Sequence, residues 1–206
     1  LNVTNNIKHV KKNKINLVTC WGEDIEVVFG KQSVKSGEYA YKSLKIACSA
    51  LDKKEIDVLV TAPINKDSIQ KKIKSFIGHT EFLEDTFEGK SLMLMVSQEM
   101  KIAFATGHIP LSNVNKSLSK SLIIDKTRQF NSTLTSDFKI IRPKIAILGI
   151  NPHAGENGLL GTEENKIIIP AINELNKKNI LAFGPYPADS FFTYKNLSFF
   201  DGILSM

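Results

Sequence analysis

Three of the four histidines stand in glycine-bracketed turns: Gly78-His79-Thr80-Glu81, Thr106-Gly107-His108-Ile109-Pro110 and Asn151-Pro152-His153-Ala154-Gly155-Glu156. Neutral imidazole ligates zinc and similar borderline divalent ions, and it exchanges its proton near neutral pH. His108 and His153 each follow an apolar, β-rich run. Both are therefore expected at the carboxyl edge of a sheet, where open α/β proteins bind ligands. They are the candidate metal ligands. A catalytic zinc needs about three protein ligands and an open position. These two are too far apart in sequence to make a local spacing motif, so two loop histidines bonded to backbone remain the alternative.

His79-Thr80 opens an acidic, helix-like run carrying Glu81, Glu84 and Asp85. Thr80 there either caps the helix by accepting from backbone N–H groups or joins His79 in capturing a phosphate or carboxylate. Asp189 follows the Gly184-Pro185-Tyr186-Pro187 turn and reads as a helix cap or a site carboxylate. His9, in a Lys- and Asn-rich stretch, is expected to be solvated. In the 151–158 loop Pro152 fixes the backbone ahead of His153, while Gly155 and Gly158 permit positive φ or close ligand approach. There is no GK[ST] and no GxGxxG after the first strand, so neither a P-loop nor a Rossmann dinucleotide site is supported.

The elements that must position these turns alternate. Short strands are expected at 15–19 and 25–29. A helix follows at 34–51, with Ala40, Leu44, Ala47 and Leu51 on one face. The apolar run 57–60 reads as a buried parallel strand. Helices are expected at 65–73 and 80–88, and 91–97 with 101–106 read as an antiparallel hairpin. A helix at 117–136, a strand at 143–150 and a helix at 163–178 come next. Thr162 opens that last helix, with Glu163 and Glu164 in its first turn. A strand at 180–183, a short helix from 189 and a strand at 199–205 complete an α/β pattern with a mixed, mostly parallel sheet.

Composition narrows the function classes. The 206 residues carry 27 basic and 21 acidic side chains, a formal net charge of +6. Only Arg128 and Arg142 are arginines, so the bidentate fork used on base edges is nearly absent and nucleic acid is not the expected partner. No apolar run approaches the roughly 20 residues of a membrane helix, and no signal-peptide architecture is visible, so a cytoplasmic location is expected. Cys20 and Cys48 lack CxxC spacing; Cys48 falls on an apolar helical face and is expected to be a buried thiol. Leu1 is not an initiator Met and the apolar strand at 199–205 ends the chain, so the chain reads as an internal portion of a longer protein.

Taken in order, these stretches resemble the 4-hydroxythreonine-4-phosphate dehydrogenase family of vitamin B6 biosynthesis. The resemblance rests on Val60-Thr61-Ala62-Pro63-Ile64-Asn65-Lys66, Gly78-His79-Thr80-Glu81-Phe82-Leu83 and Gly107-His108-Ile109-Pro110-Leu111. It continues through the 151–155 loop, Gly161-Thr162-Glu163-Glu164, and Gly184-Pro185-Tyr186-Pro187-Ala188-Asp189-Ser190-Phe191-Phe192. It implies a two-lobed isocitrate/isopropylmalate dehydrogenase-like fold, part of the first lobe in 1–72 and the second, metal- and substrate-binding lobe in 73–206. It also implies NAD, one divalent metal ion per site (Zn, Mg, Co or Mn) and a homodimer with its active site at the interface. The implied substrate is a small phosphorylated hydroxy amino acid. His79 and Thr80 would contact it, His108 and His153 would hold the metal, and Asp189 would be a catalytic candidate for orienting or proton transfer. A third metal His and further substrate contacts would lie beyond Met206, and a glycine-containing strand–loop would precede Leu1. The alternatives are a paralogous metal- and NAD-dependent dehydrogenase of another hydroxy acid phosphate or a cis-dihydrodiol, a non-catalytic interaction domain, and a phosphate-ester acyltransferase.

Overall fold

Alternation along the strand Lys144–Leu148 organises the larger half of the molecule. In this computed structural model, which describes residues 1–26 and 28–206, Ile145 and Ile147 point to one face of the sheet, and Ala146 and Leu148 to the other. All four are essentially inaccessible to solvent, as expected of a central strand covered on both faces.

The chain forms two compact units, Leu1–Ser91 and Leu92–Met206. The lobe division expected at 72/73 falls inside the first. That unit contains β1 (Asn2–Thr4) and β2 (Asn16–Val18), paired in parallel, and the helices α1 (Val34–Asp52), α2 (Lys66–Gln70) and α3 (His79–Thr86). Ser33 starts α1 by accepting from the Ser36 N–H. The helix buries Leu44 and Cys48 against Ile69 and Phe76. Cys48 is thus the buried thiol expected, and burial pushes its pKa up.

Two strands expected in this unit are not seen. The run 25–29 includes Val27, which lies outside the described residues, and its described neighbours are not in a strand. The run 57–60 is not in a strand, and Val58 is 71% and Val60 87% exposed. An apolar run specifies burial, but a strand also needs a neighbour to take its N–H and C=O groups.

The second unit is built on a five-stranded sheet ordered β3-β4-β7-β5-β6. Its strands are β3 (Leu94–Val96), β4 (Lys101–Phe104), β5 (Lys144–Leu148), β6 (Leu181–Tyr186) and β7 (Gly202–Ser205). The expected hairpin is present: β3 runs antiparallel to β4, while β4, β7, β5 and β6 are mutually parallel. The sheet is therefore mixed and mostly parallel. On one face lie α5 (Lys120–Ser136) and α6 (Ile169–Lys177); on the other lies α7 (Tyr194–Phe199). Ile123, Thr127, Phe130 and Leu134 of α5 are spaced i, i+4, i+7, i+11 and are all fully buried. The buried Thr127 hydroxyl is satisfied by donating to the Ile123 carbonyl at 2.6 Å. Gly202 lies under this helix, where a Cβ would come within 2.5 Å of the Phe130 ring.

Element boundaries shift where local chemistry overrides periodicity. The helix expected at 117–136 is present as α5 but starts at Lys120, because Ser119 caps it by accepting from the Leu122 N–H; a short helix that was not expected, α4 (Leu111–Ser117), precedes it. The helix expected at 163–178 begins as a π-helical turn, Glu164–Ile168, before α6. Pro170 at the start of α6 has no N–H, so the regular ladder cannot run through it. The helix expected from 189 begins only at Tyr194, capped by Thr193.

Candidate active site at the carboxyl edge of the sheet

Parallel pairing of β4, β7, β5 and β6 puts all four carboxyl ends on one edge. His108 follows β4, His153 follows β5 and Asp189 follows β6. Since β7 separates β4 from β5, the strands bearing the two histidines are two spacings apart, about 10 Å. The backbone here is tied down. Ala105 donates to Ser205 O at 2.8 Å, and the Thr106 hydroxyl donates to Met206 O at 2.7 Å.

His153 meets Asp189 directly, with Nδ1 and Oδ2 2.6 Å apart and both side chains partly exposed. Asp189 is thus not the helix cap; Thr193 fills that place. A carboxylate on Nδ1 selects the tautomer that leaves Nε2 free to face outward, the arrangement usual for a metal-binding histidine. His108 is also exposed. Two imidazoles on one sheet edge, one oriented by a carboxylate, are the donor type that suits a borderline divalent ion. Among the described residues, no three His, Cys, Asp or Glu side chains form a complete cage.

The loop carrying His153 has an unusual backbone. His153, Ala154, Gly155, Glu156 and Asn157 all lie in the left-handed region, with φ between 43° and 78°. Glycine and asparagine tolerate this, but His153, Ala154 and Glu156 each lose about 1–2 kcal/mol relative to right-handed backbone. The loop must therefore be held from outside. Glu163 and Glu164, expected to serve the helix dipole, fold back onto it instead. Glu164 is 2% exposed. Its Oε1 accepts from the Ile150 and Asn151 N–H groups at 2.9 and 2.8 Å, and its Oε2 accepts from Asn151 Nδ2 at 2.9 Å. Glu163 accepts from Asn115 Nδ2 and Asn151 Nδ2, each at 2.7 Å. These bonds hold its carboxyl at about 2, well below the usual carboxylate range. Sequence reasoning did not assign Asn115, Asn151, Glu163 or Glu164 to the site. The available signal was an adjacent acidic pair just after a glycine-rich His loop.

His79 and Thr80 belong to the first unit. Gly78 is the N-cap of α3 and no side chain caps it, so Thr80 does not play the capping role. His79 is half-buried and lines a cavity of about 300 Å³ with Val60, Thr61, Ala62, Pro63 and Ile64. Two of the segments that carry the family resemblance thus share one cavity. His9 is exposed, as expected.

The model of the pyridoxal phosphate biosynthetic protein PdxA family matches residues 1–206. The chain belongs to the PdxA family. A curated relative, the 4-hydroxythreonine-4-phosphate dehydrogenase of Bacteroides thetaiotaomicron, is 41% identical over 206 residues, covering 99% of this chain and 57% of that protein. The crystal structure of 4-hydroxythreonine-4-phosphate dehydrogenase from Klebsiella pneumoniae superposes with a TM-score of 0.85 at 25% identity, over 99% of this chain and 62% of that one. The corresponding dehydrogenase from Burkholderia phymatum gives 0.81 at 29% identity, over 100% and 64%. A terephthalate 1,2-cis-dihydrodiol dehydrogenase from Burkholderia xenovorans LB400, at 21% identity and a TM-score of 0.67, shares the fold. This PdxA chain therefore has the α/β fold of those structures and spans about 57% of the length of its curated relative. Among its described residues, no helix is long and apolar enough to cross a membrane.

Proposed function

We propose that the protein containing this chain is an NAD-dependent, divalent-metal-dependent 4-hydroxythreonine-4-phosphate dehydrogenase of pyridoxal phosphate biosynthesis. It would oxidise 4-phosphohydroxy-L-threonine to 2-amino-3-oxo-4-phosphooxybutanoate. Hydride leaves the hydroxyl-bearing carbon for NAD⁺, and the hydroxyl proton is released. The product, a β-keto acid, then loses CO₂ to give 3-amino-2-oxopropyl phosphate. The observation that carries this reading is His153 held by Asp189 on the same sheet edge as His108, in a chain whose relatives bear that name.

His108 and His153 would hold the metal, with the remaining ligand supplied by residues other than those described. When bound, such an ion supplies Lewis-acid stabilisation of charge developing on a substrate oxygen. The chain's own residues do the positioning. Asp189 fixes the tautomer and direction of the His153 ring, acting through it. His79, with Thr80 beside it, contributes donors for the phosphorylated substrate from the cavity it lines. We place the active enzyme in the cytoplasm as a homodimer with the site at the interface.

The test uses the full-length protein. His108→Ala and His153→Ala should each weaken Zn²⁺ binding at least a hundredfold and abolish NADH formation from 4-phosphohydroxythreonine. Unchanged metal affinity in both variants refutes the metal site. Preference for erythronate phosphate over 4-phosphohydroxythreonine reassigns the substrate within the same chemistry.

A further inference from the structure

Glu164 is buried without a cation. The ion pairs seen among the described residues do not include it, and its hydrogen-bond donors are all amide groups of Ile150 and Asn151. A carboxylate is placed so deeply only where it is satisfied, and here the satisfaction comes entirely from the base of the His153 loop. The loop is moulded around it. A Cβ on Gly149 would lie 3.0 Å from Oε1, and one on Gly155 would lie 2.6 Å from Oε2. Gly155 sits in the middle of the left-handed run 153–157, so the carboxylate contacts both the entry and the apex of the turn.

We propose that Glu164 is the positioning residue of the site: it locks the left-handed turn that presents His153 to Asp189. This rests on the reading of His153 as a metal ligand, but its structural half stands apart from that reading. The carboxylate acts by binding two successive backbone N–H groups where β5 gives way to the loop. That fixes the direction in which 152–158 leaves the sheet. The π-helical turn Glu164–Ile168 brings the side chain under the loop, a use of irregular helix that recurs at functional sites.

The experiment is hydrogen exchange on metal-free full-length protein, read at the Ile150 and Asn151 amides, together with Zn²⁺ affinity by chelator competition. Glu164→Gln keeps the shape and one acceptor but turns an N–H toward Asn151 Nδ2. It should speed exchange at both amides about tenfold while leaving Ile145 and Leu175 protected, and weaken Zn²⁺ binding about tenfold. Glu164→Ala, which leaves both amides unsatisfied, should do more of each. If that variant does not fold, Asn151→Ala removes the Nδ2 bonds to Glu163 and Glu164 but keeps both backbone N–H bonds to Glu164, and should accelerate Ile150 exchange several-fold. Unchanged exchange at Ile150 and Asn151 in Glu164→Gln overturns the proposal. So does faster exchange spread evenly over the whole unit, the mark of a merely structural residue. Faster local exchange in a protein whose Zn²⁺ affinity ignores His153→Ala upholds the anchor and refutes the metal reading instead.

Discussion

Replacing Asp189 tests the orienting role most directly, because its contact with His153 is short and, among the described residues, is the one hydrogen-bonding or ionic contact seen for either side chain. A hydrogen bond to a charged group contributes about 1.5–3 kcal/mol net. Here the two side chains are 66% and 42% exposed, so water competes for both and the low end applies. Losing about 1.4 kcal/mol corresponds to a factor of about ten in affinity, which agrees with the lower bound for outer partners of metal-binding histidines. Asp189→Ala should therefore weaken Zn²⁺ binding about tenfold. Asp189→Asn retains a neutral acceptor for Nδ1–H and should cost only two- to fivefold, on the order of 0.5–1 kcal/mol. The assay is chelator competition on full-length protein, with kcat and KM for NADH formation measured alongside. An orienting residue lowers kcat with metal saturating only slightly, because excess metal restores occupancy. If Asp189→Ala binds Zn²⁺ as tightly as the parent, the orienting role is refuted. If kcat falls about a thousandfold at saturating metal, Asp189 touches reacting atoms, and the positioning assignment is wrong.

Three further outcomes follow from the geometry. Gly202→Ala forces a methyl group to within 2.5 Å of the fully buried Phe130 ring, and should lower unfolding free energy by about 1–3 kcal/mol, seen as a lower urea midpoint at unchanged slope. Glu163, whose carboxyl is held at about 2, stabilises the fold fully above its ordinary value near 4.5. That stabilisation is lost as pH falls toward 2; Glu163→Gln should flatten the dependence of the urea midpoint over this window. Cys48 is buried with its pKa raised, whereas Cys20 is partly accessible, so a maleimide should label Cys20 in the native protein and Cys48 only after denaturation.

The sheet edge was legible in the sequence because two independent signals agreed there. The run before His108 and the run before His153 each combined β-branched residues with a glycine-bearing turn, and strand polarity then carried both turns to one edge. The π-helical turn was not legible. Glu163 and Glu164 satisfy a helix-dipole reading as well as they satisfy the real one, and only the backbone path of 151–158 separates the two. Asp189 was ambiguous for a similar reason: whether it caps or pairs depends on where α7 begins, and Thr193 decides that four residues downstream.

The contrast between 57–60 and 101–104 shows what kind of information a sequence run holds. Both are short, with one charged residue, Asp57 or Lys101, followed by three apolar ones. Lys101–Phe104 becomes β4 because β3 and β7 flank it on both sides, and its Ala103 is wholly buried. The 57–60 run is not in a strand, with Val58 and Val60 facing solvent. The run itself records only that burial is favourable, roughly 25 cal/mol per Å² of apolar area; the partner strand records where. The same division holds at the site. Residue type marked His108 and His153 as capable of holding a metal. Their relative placement came from β7, the strand inserted between β4 and β5, and the outward direction of His153 is set by its Asp189 contact and by the Glu164 carboxylate beneath its loop. The residue types capable of such chemistry therefore lie in the loops, and their placement comes from the strands and carboxylates around them.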